Sequence, residues 1–446
     1  DIVSSLLEEY SVPISEIPGL RVVGGIPDKF AELISVDALR FVVDAYRASL
    51  SFDHTLQQVL SHRKLKRREL DQAARSGRRM SDIVLSDGTE VLGFREDTRW
   101  IREDPSWRVT DRPKYFEKFH DTITGPPTAS IVVNALTSGV SFFMVDFEDS
   151  SACTLSTLLD GLTAVTRANQ RAINDTVGTK TYKLLPDTPE VGVMIVRPEG
   201  LHLPNGHFLV DGSVMPAHLL TIGLYLYHNW EPMKENGEVP SFYLPKLETF
   251  EEALYMAQLF RTLETNLSDL VGADKYQPGT LRCFSIIENA FSVFQKEEIL
   301  YALRDYIVGL NGGWHDYVAS IGAVHAECNS FAMPPKSNLR IVIDYLEAYQ
   351  MGMVEVCRRR HAIPIGGMNA MVPPANPVDL QKVEGKIVEA FSADFWMQVS
   401  RGLEGVWLAH KELARTVKGL KDERLAHPPK MLPMPEFTTE IILVSD

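Results

Sequence analysis

The amino-acid sequence predicts an α/β protein built on a TIM (β/α)8 barrel, with a helical segment before the barrel and a short helical region after it. From residue 130 onward, short apolar runs alternate with segments of helical periodicity, which is typical of a parallel sheet with crossover helices. There are eight such runs, enough to close a barrel. Charged residues follow several of them directly, and the active sites of such barrels lie at the carboxyl ends of the strands.

Composition excludes several classes of protein. The 446 residues are 45% hydrophobic and 23% charged, as expected of a folded globular chain rather than a disordered one. Lys and Arg number 45 against 59 Asp and Glu, a net charge of -14, so we expect no nucleic-acid partner. No run of about 18 uncharged apolar residues predicts a membrane span. The four cysteines lack metal-like spacing, which favours a reducing compartment, the cytoplasm or alternatively a peroxisome or glyoxysome.

Residues 1–110 are predicted to form an amino-terminal helical domain without strong strand signals, and residues 111–412 the barrel. Residues 413–446 would be a carboxyl-terminal segment. A long, basic, amphipathic helix is predicted over Leu56–Ala74. We assign its cationic run to a solvent-exposed face; the run comprises Arg63, Lys64, Lys66, Arg67 and Arg68.

The eight apolar runs are the candidate strands. They are Ile131–Leu136, Phe142–Phe147, Gly192–Val196, Phe242–Leu247, Leu281–Ile287, Tyr306–Leu310, Ala362–Ile365 and Val406–Ala409. Among the intervening helices, Thr249–Thr262 begins with a capping-box pair, Thr249 and Glu252. A doubly wound open sheet fits the same pattern and remains the alternative.

Charged and glycine-rich segments follow the strands at the end where barrel chemistry takes place. They contain Asp146, Glu148 and Asp149 at the end of the second run, Arg197 after the third, Glu288 after the fifth, and Gly313, Trp314, His315 and Asp316 after the sixth. Converging carboxylates repel one another unless a cation lies among them, and oxygen ligands suit Mg²⁺. Arg197 would supply a fixed positive charge for a developing oxyanion, and the glycines would let the backbone approach a ligand.

Several longer motifs make the sequence recognisable. Val145–Ser150, Phe242–Glu248, Gly309–Asn311 and Gly366–Met368, together with Ile123–Pro126, occur in the order of a known family. Over residues 55–435, nearly the whole chain, the sequence resembles the malate synthase family.

The resemblance implies an enzyme that condenses acetyl-CoA with glyoxylate to give malate and CoA, on a TIM barrel with an amino-terminal helical clasp and a carboxyl-terminal helical plug. It implies that Glu288 and Asp316 bind Mg²⁺ and that Arg197 is the catalytic arginine. Gly313, Trp314 and His315 match the turn that holds glyoxylate through backbone N–H groups. The segment with Asp146, Glu148 and Asp149 matches one near the metal waters.

Departures from the family pattern lie beside these positions. Glu404 replaces an aspartate that we take as the family's base for the acetyl methyl proton, and one extra methylene is enough to displace a catalytic group. The family's Arg-Gly-Trp-His is Glu199–His202 here, and the residues before Asp316 also differ. After Pro435 a short apolar tail, Ile441–Val444, follows, so we expect a short or truncated plug.

Three functions therefore stay open at this stage. The first is a malate synthase-like Claisen condensation that uses acetyl-CoA, glyoxylate and Mg²⁺. The second is a related enzyme that uses another acyl-CoA or 2-oxo acid, or that cleaves or hydrolyses a hydroxyacyl-CoA. The third is a catalytically silent barrel that serves as a binding module.

Overall fold

The structure, a computed structural model, describes residues 7, 9–77, 83–86, 92–328, 333, 344–370, 372–374 and 376–433. The apolar tail Ile441–Val444 lies outside the described residues. The strands are β1 (Ser11–Pro13), β2 (Leu20–Val23), β3 (His120–Gly125), β4 (Phe142–Asp146), β5 (Ile173–Val177), β6 (Lys180–Leu184), β7 (Val193–Arg197), β8 (Pro204–Val210), β9 (Ser213–Pro216), β10 (Ser241–Leu244), β11 (Arg282–Ile287), β12 (Ile307–Gly312), β13 (Ile363–Ile365), β14 (Met368–Asn369) and β15 (Gly405–Leu408).

From β3 onward, the α-helices of the described residues separate most consecutive strands of the parallel sheets. They are α1 (Val36–Ser49), α2 (Leu56–Arg75), α3 (Arg99–Glu103), α4 (Ala129–Leu136), α5 (Leu155–Asn169), α6 (Ala217–Glu235), α7 (Phe250–Val271), α8 (Lys296–Ala302), α9 (Trp314–Val324), α10 (Asp344–Arg360), α11 (Pro377–Ser400) and α12 (Ala414–Ala426). No helix in this described part of the chain is long and apolar enough to cross a membrane.

The chain divides into two compact units, and the first contains Asp1–Leu56, Thr124–Leu244 and Tyr255–Arg282. Its parallel strands lie in the order β4, β7, β10. An antiparallel sheet has the order β1, β2, β8, β9, and β5 and β6 form a hairpin. Strands β1 and β2 were not expected, because the first 110 residues gave no strong strand signal.

The second unit contains Gln57–Ile123, Pro245–Leu254 and Cys283–Asp446. It holds two sets of parallel strands, β11, β12, β13 and β3, β15, β14. All six residues of β12 are buried, as expected of a parallel strand covered on both faces. The parallel strands and crossover helices of both units confirm the predicted α/β class.

Every candidate strand except the first corresponds to an observed strand within a few residues. The assignment of Ile131–Leu136 to a strand was wrong, because these residues lie in helix α4. The strand that precedes it, β3, was missed because its sequence, His-Asp-Thr-Ile-Thr-Gly, carries little apolar signal. Its first four residues are nevertheless all buried.

Helix α2 confirms the predicted basic helix, but not the exposure of its whole cationic run. Lys66 is only 4% exposed, and the side chain of Arg63 is 14% exposed. Both contact glutamates near the start of α7: Arg63 pairs with Glu252, and Lys66 with Glu248. Two of the five cations therefore belong to the packed interior of the unit.

Candidate active site

Arg197 ends strand β7 in the first unit and is held by carboxylates of the neighbouring strand end. Asp146, the last residue of β4, faces Arg197 in the parallel register. Arg197 Nε donates to Asp146 Oδ1 at 2.8 Å, and Nη2 donates to Oδ2 at 2.7 Å. Glu148 and Asp149 lie 3.7 and 3.0 Å from the same guanidinium. The structure thus brings together the four residues that the sequence placed after these two strands.

The Asp146 carboxylate also organises the loop that follows β4. Its Oδ1 accepts the backbone N–H of Glu148 at 2.9 Å, and its Oδ2 accepts that of Ser150 at 2.9 Å. Burial opposes the charge of Asp146, but hydrogen bonds from Arg197 outweigh it and hold the pKa of Asp146 below its ordinary value. The pKa of Arg197, which burial alone would lower, is raised by these carboxylates. The guanidinium is therefore fixed in its charged state.

Glu199, two residues beyond Arg197, is a titratable group that the sequence marked only as a departure from the family. Burial raises the pKa of Glu199 from 4.5 to about 7, and the charges of Glu148 and Asp146 add to this effect. Among the described residues its Oε2 is buried without a hydrogen-bond partner. Glu199 lines a cavity of about 130 Å³ with Phe147 and His207. Burial in the folded chain was the signal needed to find it.

In the second unit, the two predicted metal ligands both reach Lys246. The backbone N–H of Lys246 donates to Glu288 Oε1 at 2.5 Å, and its Nζ lies 3.7 Å from Asp316 Oδ2. Glu288 is 3% exposed, whereas the side chain of Asp316 is about half exposed. The two carboxylates thus contact different atoms of one lysine, Glu288 its backbone N–H and Asp316 its ammonium group.

Lys246 owes this position to an unusual backbone conformation. Its φ of 53° lies in the left-handed region, which costs free energy for a residue with a side chain. Arg63 Nη2 donates to the Lys246 carbonyl at 2.6 Å, so the residue is held through both its N–H and its carbonyl. In the sequence, Lys246 stood out only as part of a motif, because the residue type gives no indication of its backbone angle.

Gly313 lies directly against Glu288 at the start of α9. A Cβ at position 313 would come within 2.8 Å of Glu288 Cβ, so only glycine fits without displacing the carboxylate. The Gly313 N–H donates to the Ile287 carbonyl at 3.2 Å. The Gly313 N–H is therefore already hydrogen-bonded within the protein. The N–H groups of the first turn of α9, which follows it, have no acceptor within the helix.

The side chains of Trp314 and His315 are both directed to the carbonyl of Met368. Trp314 Nε1 donates to that oxygen at 3.3 Å, and His315 Nε2 lies 3.1 Å from it. Their rings stack with centroids 3.7 Å apart. A Cβ at Gly367 would lie 2.4 Å from Trp314 Cδ1, which explains the glycine before Met368. In the predicted substrate turn, the side chains of Trp314 and His315 are thus both held by a backbone carbonyl of β14.

A tyrosine that the sequence analysis missed supports the backbone before Glu288. The Tyr349 hydroxyl donates to the carbonyl of Ile287, and the Tyr349 ring stacks on Tyr317 at 4.3 Å. Burial raises the pKa of Tyr349, and Tyr317 and Glu288 add to this effect. Tyr349 therefore stays a neutral donor at physiological pH.

Glu404, the predicted base, precedes β15 rather than following it. Its carbonyl accepts the N–H of His120, the first residue of β3, at 2.9 Å, so it lies at the amino ends of these parallel strands. Its side chain is exposed. Barrel chemistry takes place at the carboxyl ends, and the first carboxylate after the end of β15 is Glu412, whose N–H donates to His410 Nδ1 at 3.3 Å. Glu404 and Glu412 thus lie at opposite ends of β15.

Glu288 and Asp316 form a small set of carboxylate oxygen donors. Within the described ranges, no group of three or more His, Cys, Asp and Glu side chains is arranged to hold a metal. Glu288, which accepts the backbone N–H of Lys246, and Asp316, which lies near its ammonium group, nevertheless offer hard oxygen donors. Mg²⁺ is commonly bound through one or two carboxylates with water and substrate. These residues fit Mg²⁺ and not a metal that needs nitrogen or sulfur ligands.

Comparisons with known proteins identify the family to which the chain is similar. Residues 193–444, more than half of the chain, match the family model described as malate synthase, TIM barrel domain. The malate synthase of Streptomyces clavuligerus is 34% identical over 356 residues, which cover 79% of this chain and 63% of that protein. Malate synthase A of Escherichia coli (strain K12) is 32% identical over 344 residues, or 76% and 61%.

A glyoxysomal malate synthase of Gossypium hirsutum is 29% identical over 434 residues, which cover 96% of this chain and 70% of that protein. The chain thus spans somewhat less than two thirds of the Streptomyces and Escherichia relatives. The family match confirms the predicted barrel class over the open-sheet alternative.

Proposed function

Because the chain belongs to the malate synthase TIM-barrel family, we propose that it catalyses the Mg²⁺-dependent condensation of acetyl-CoA with glyoxylate. Water then hydrolyses the thioester of the condensation product, which gives malate and CoA. One observation of the structure carries this proposal: Glu288 and Asp316, from separate elements, both reach Lys246. Carboxylates gathered in this way are arranged to bind a cation rather than merely to solubilise a surface.

Glu288 and Asp316 would hold the Mg²⁺. When bound there, the ion supplies Lewis-acid polarisation of the glyoxylate carbonyl. Lys246 orients Glu288 through its backbone N–H, and Tyr349 fixes the carbonyl of the residue before it. Such outer partners set the direction of the ligating oxygens.

Arg197 would stabilise negative oxygen during bond formation. Its guanidinium is buried and permanently charged, and Asp146 holds it through two hydrogen bonds. A preorganised charge of this kind lowers the energy of an enolate and of the alkoxide that follows, because little reorganisation is needed as charge develops. Glu148 and Asp149 limit its movement further.

The carboxylate of glyoxylate would be bound by backbone N–H groups in the first turn of α9. Gly313 permits the close approach of this turn to Glu288. Trp314 and His315 hold the turn against Met368 with their side chains. Their contribution to substrate binding is therefore through the backbone.

A carboxylate must remove a proton from the acetyl methyl group, and we assign this step to Glu412. It is the first carboxylate beyond the carboxyl end of β15, and a proton acceptor must lie within hydrogen-bond reach of the substrate carbon. Glu404, the base expected from the sequence, lies at the opposite end of that strand. It is the matched control.

The assignment is tested by exchange of the acetyl-CoA methyl protons in D₂O, followed by NMR. Glu412→Gln should lower the exchange rate by at least a hundredfold, whereas Glu404→Gln should leave it near the parent value. The opposite pattern would return the role to Glu404. Mg²⁺ binding, measured by calorimetry, should persist in both variants.

The reaction itself is tested by following malate formation from acetyl-CoA and glyoxylate with Mg²⁺. Arg197→Lys should lower kcat by on the order of a hundredfold, because lysine cannot reproduce the two parallel hydrogen bonds to Asp146. Arg75→Lys, on an exposed part of α2, is the control. Malate formation by the parent protein that is no faster than without enzyme would contradict the proposal.

We also propose that the reaction takes place in a reducing compartment, the cytoplasm or alternatively a glyoxysome. All four cysteines are free thiols, which suits such a compartment. The Gossypium relative carries the name glyoxysomal.

A further inference from the structure

A positively charged groove of about 440 Å³ runs along helix α2 in the second unit. Its cationic lining consists of Arg63, Lys64, Lys66, Arg67 and Arg68. The condensation proposed above assigns no role to this groove. Its volume lies within the range of small-molecule sites, roughly 300–1,000 Å³.

Two of the cations form a rigid, buried floor. Arg63 donates to both oxygens of Glu252 at 2.6 and 2.7 Å. Lys66 contacts Glu248, and its Nζ lies 3.8 Å from the ring centroid of Phe291. Because these side chains are already ordered, a ligand that met them would lose little additional side-chain entropy.

The remaining cations leave the groove with unbalanced positive charge. Within the described part of the chain, neither Lys64 nor Arg68 has an ion pair. Glu248 must balance several cations at once: burial opposes its charge, but Lys66 and Arg63, with a further contribution from Arg67, hold its pKa below the ordinary value. In a protein of net charge -14, such a patch concentrates anions locally.

We propose that this groove binds an anion with two or more adjacent phosphate groups. A guanidinium group can donate two parallel hydrogen bonds to two oxygens of one phosphate, and a lysine ammonium adds a compact positive charge. The five cations exceed the two carboxylates of the lining, Asp71 and Glu248, even when Glu252, which pairs with Arg63, is added to them. The excess of two positive charges leaves room for more than one negative charge. The diphosphate could belong to an acyl-CoA substrate or to a separate phosphorylated metabolite.

The test uses inorganic pyrophosphate as the probe, titrated calorimetrically into the full protein in EDTA and low salt. The variant Arg67→Ala/Arg68→Ala removes two lining cations and should weaken binding at least tenfold. The variant Arg40→Ala/Arg75→Ala removes two exposed arginines outside the groove and should leave the affinity unchanged. Added KCl should weaken binding to the parent protein.

Equal affinity in the two double variants would show general charge attraction and overturn the proposal, as would the absence of saturable binding. Far-UV circular dichroism and the urea midpoint establish that both variants are folded. No turnover is involved, so the result is independent of the proposed condensation. A second titration in saturating CoA identifies the source: displacement assigns the groove to the diphosphate of the substrate, and simultaneous binding assigns it to a separate phosphorylated ligand.

Discussion

Asp146 and Arg197 face each other because β4 and β7 are adjacent parallel strands whose last residues share one register position. The position of the guanidinium is thus set by the sheet and not by a loop. Catalytic groups held to within a fraction of an ångström benefit from such rigid support. The sequence marked each of the two residues as a candidate, because charges at the ends of buried strands stand out against apolar runs, but it did not predict that they pair.

Glu199, Lys246 and Tyr349 could not be assigned roles from the sequence. The raised pKa of Glu199 depends on burial, and the function of Lys246 depends on a left-handed backbone angle. Tyr349 acts through a carbonyl 62 residues away in the sequence. Each of these properties exists only in the folded chain.

The buried carboxyl of Glu199 should make stability depend on pH near neutrality. Its pKa is 4.5 ordinarily and about 7 in the folded protein, so the folded state retains a proton that the unfolded state releases. Stability from this group is complete below pH 4.5 and is lost as pH rises through 7. Between pH 5 and 8 the parent should lose on the order of 2 kcal/mol that Glu199→Gln does not lose.

The measurement is urea denaturation of both proteins at pH 5 and pH 8. Glu231→Gln, at an exposed position, is the control and should follow the parent. If the free energy of unfolding of Glu199→Gln depended on pH as that of the parent does, the Glu199 carboxyl would ionise equally easily in the folded and the unfolded protein. That result would contradict the prediction.

At the scale of elements, the sequence distinguished helices from strands except where the local preference of a segment differs from the structure that it adopts in the fold. Ile131–Leu136 is apolar and partly β-branched, which favours a strand locally, yet it forms most of α4. The capping pair of α7 was predicted correctly: the Glu252 N–H donates to Thr249 Oγ1 at 3.4 Å. The Glu252 carboxylate, however, binds Arg63 and the backbone N–H of Glu248.

Helix α2 is attached to the start of α7 by a buried ion pair, Lys66 with Glu248. Loss of one partner leaves the other charge poorly compensated, so we expect Lys66→Met and Glu248→Gln each to lower the free energy of unfolding by on the order of 2 kcal/mol. The double variant should be less destabilised than the sum, by about 1 kcal/mol.

Urea denaturation of the four proteins completes the cycle. A control cycle with Arg75 and Glu327, an exposed pair, should give an interaction energy near zero. Additive effects for Lys66 and Glu248 would mean that the contact contributes nothing beyond the packing of each side chain.

At the scale of the whole molecule, ligand binding and stability are linked. An ion that binds Glu288 and Asp316 only in the folded state stabilises that state by mass action. Mg²⁺ at about 100 times its Kd should raise the free energy of unfolding by about 2.7 kcal/mol. Calorimetric melting with Mg²⁺ and with EDTA measures the difference.

Glu288→Gln should abolish the Mg²⁺-dependent part of this shift, whereas Glu327→Gln, whose side chain is about half exposed, should retain it. A shift of equal size in Glu288→Gln would locate the stabilising ion elsewhere. Ca²⁺ serves as a further comparison, since it prefers more oxygen ligands than two carboxylates provide.

The contact between Arg63 and Glu252 joins residues 189 positions apart. At a synthesis rate of about 5–20 residues per second, α2 leaves the ribosome roughly 10–40 s before its partner does. During that interval Arg63 and Lys66 lack Glu252 and Glu248, the partners that they contact in the folded protein. The order of translation thus delays completion of this part of the protein until the start of α7 has emerged.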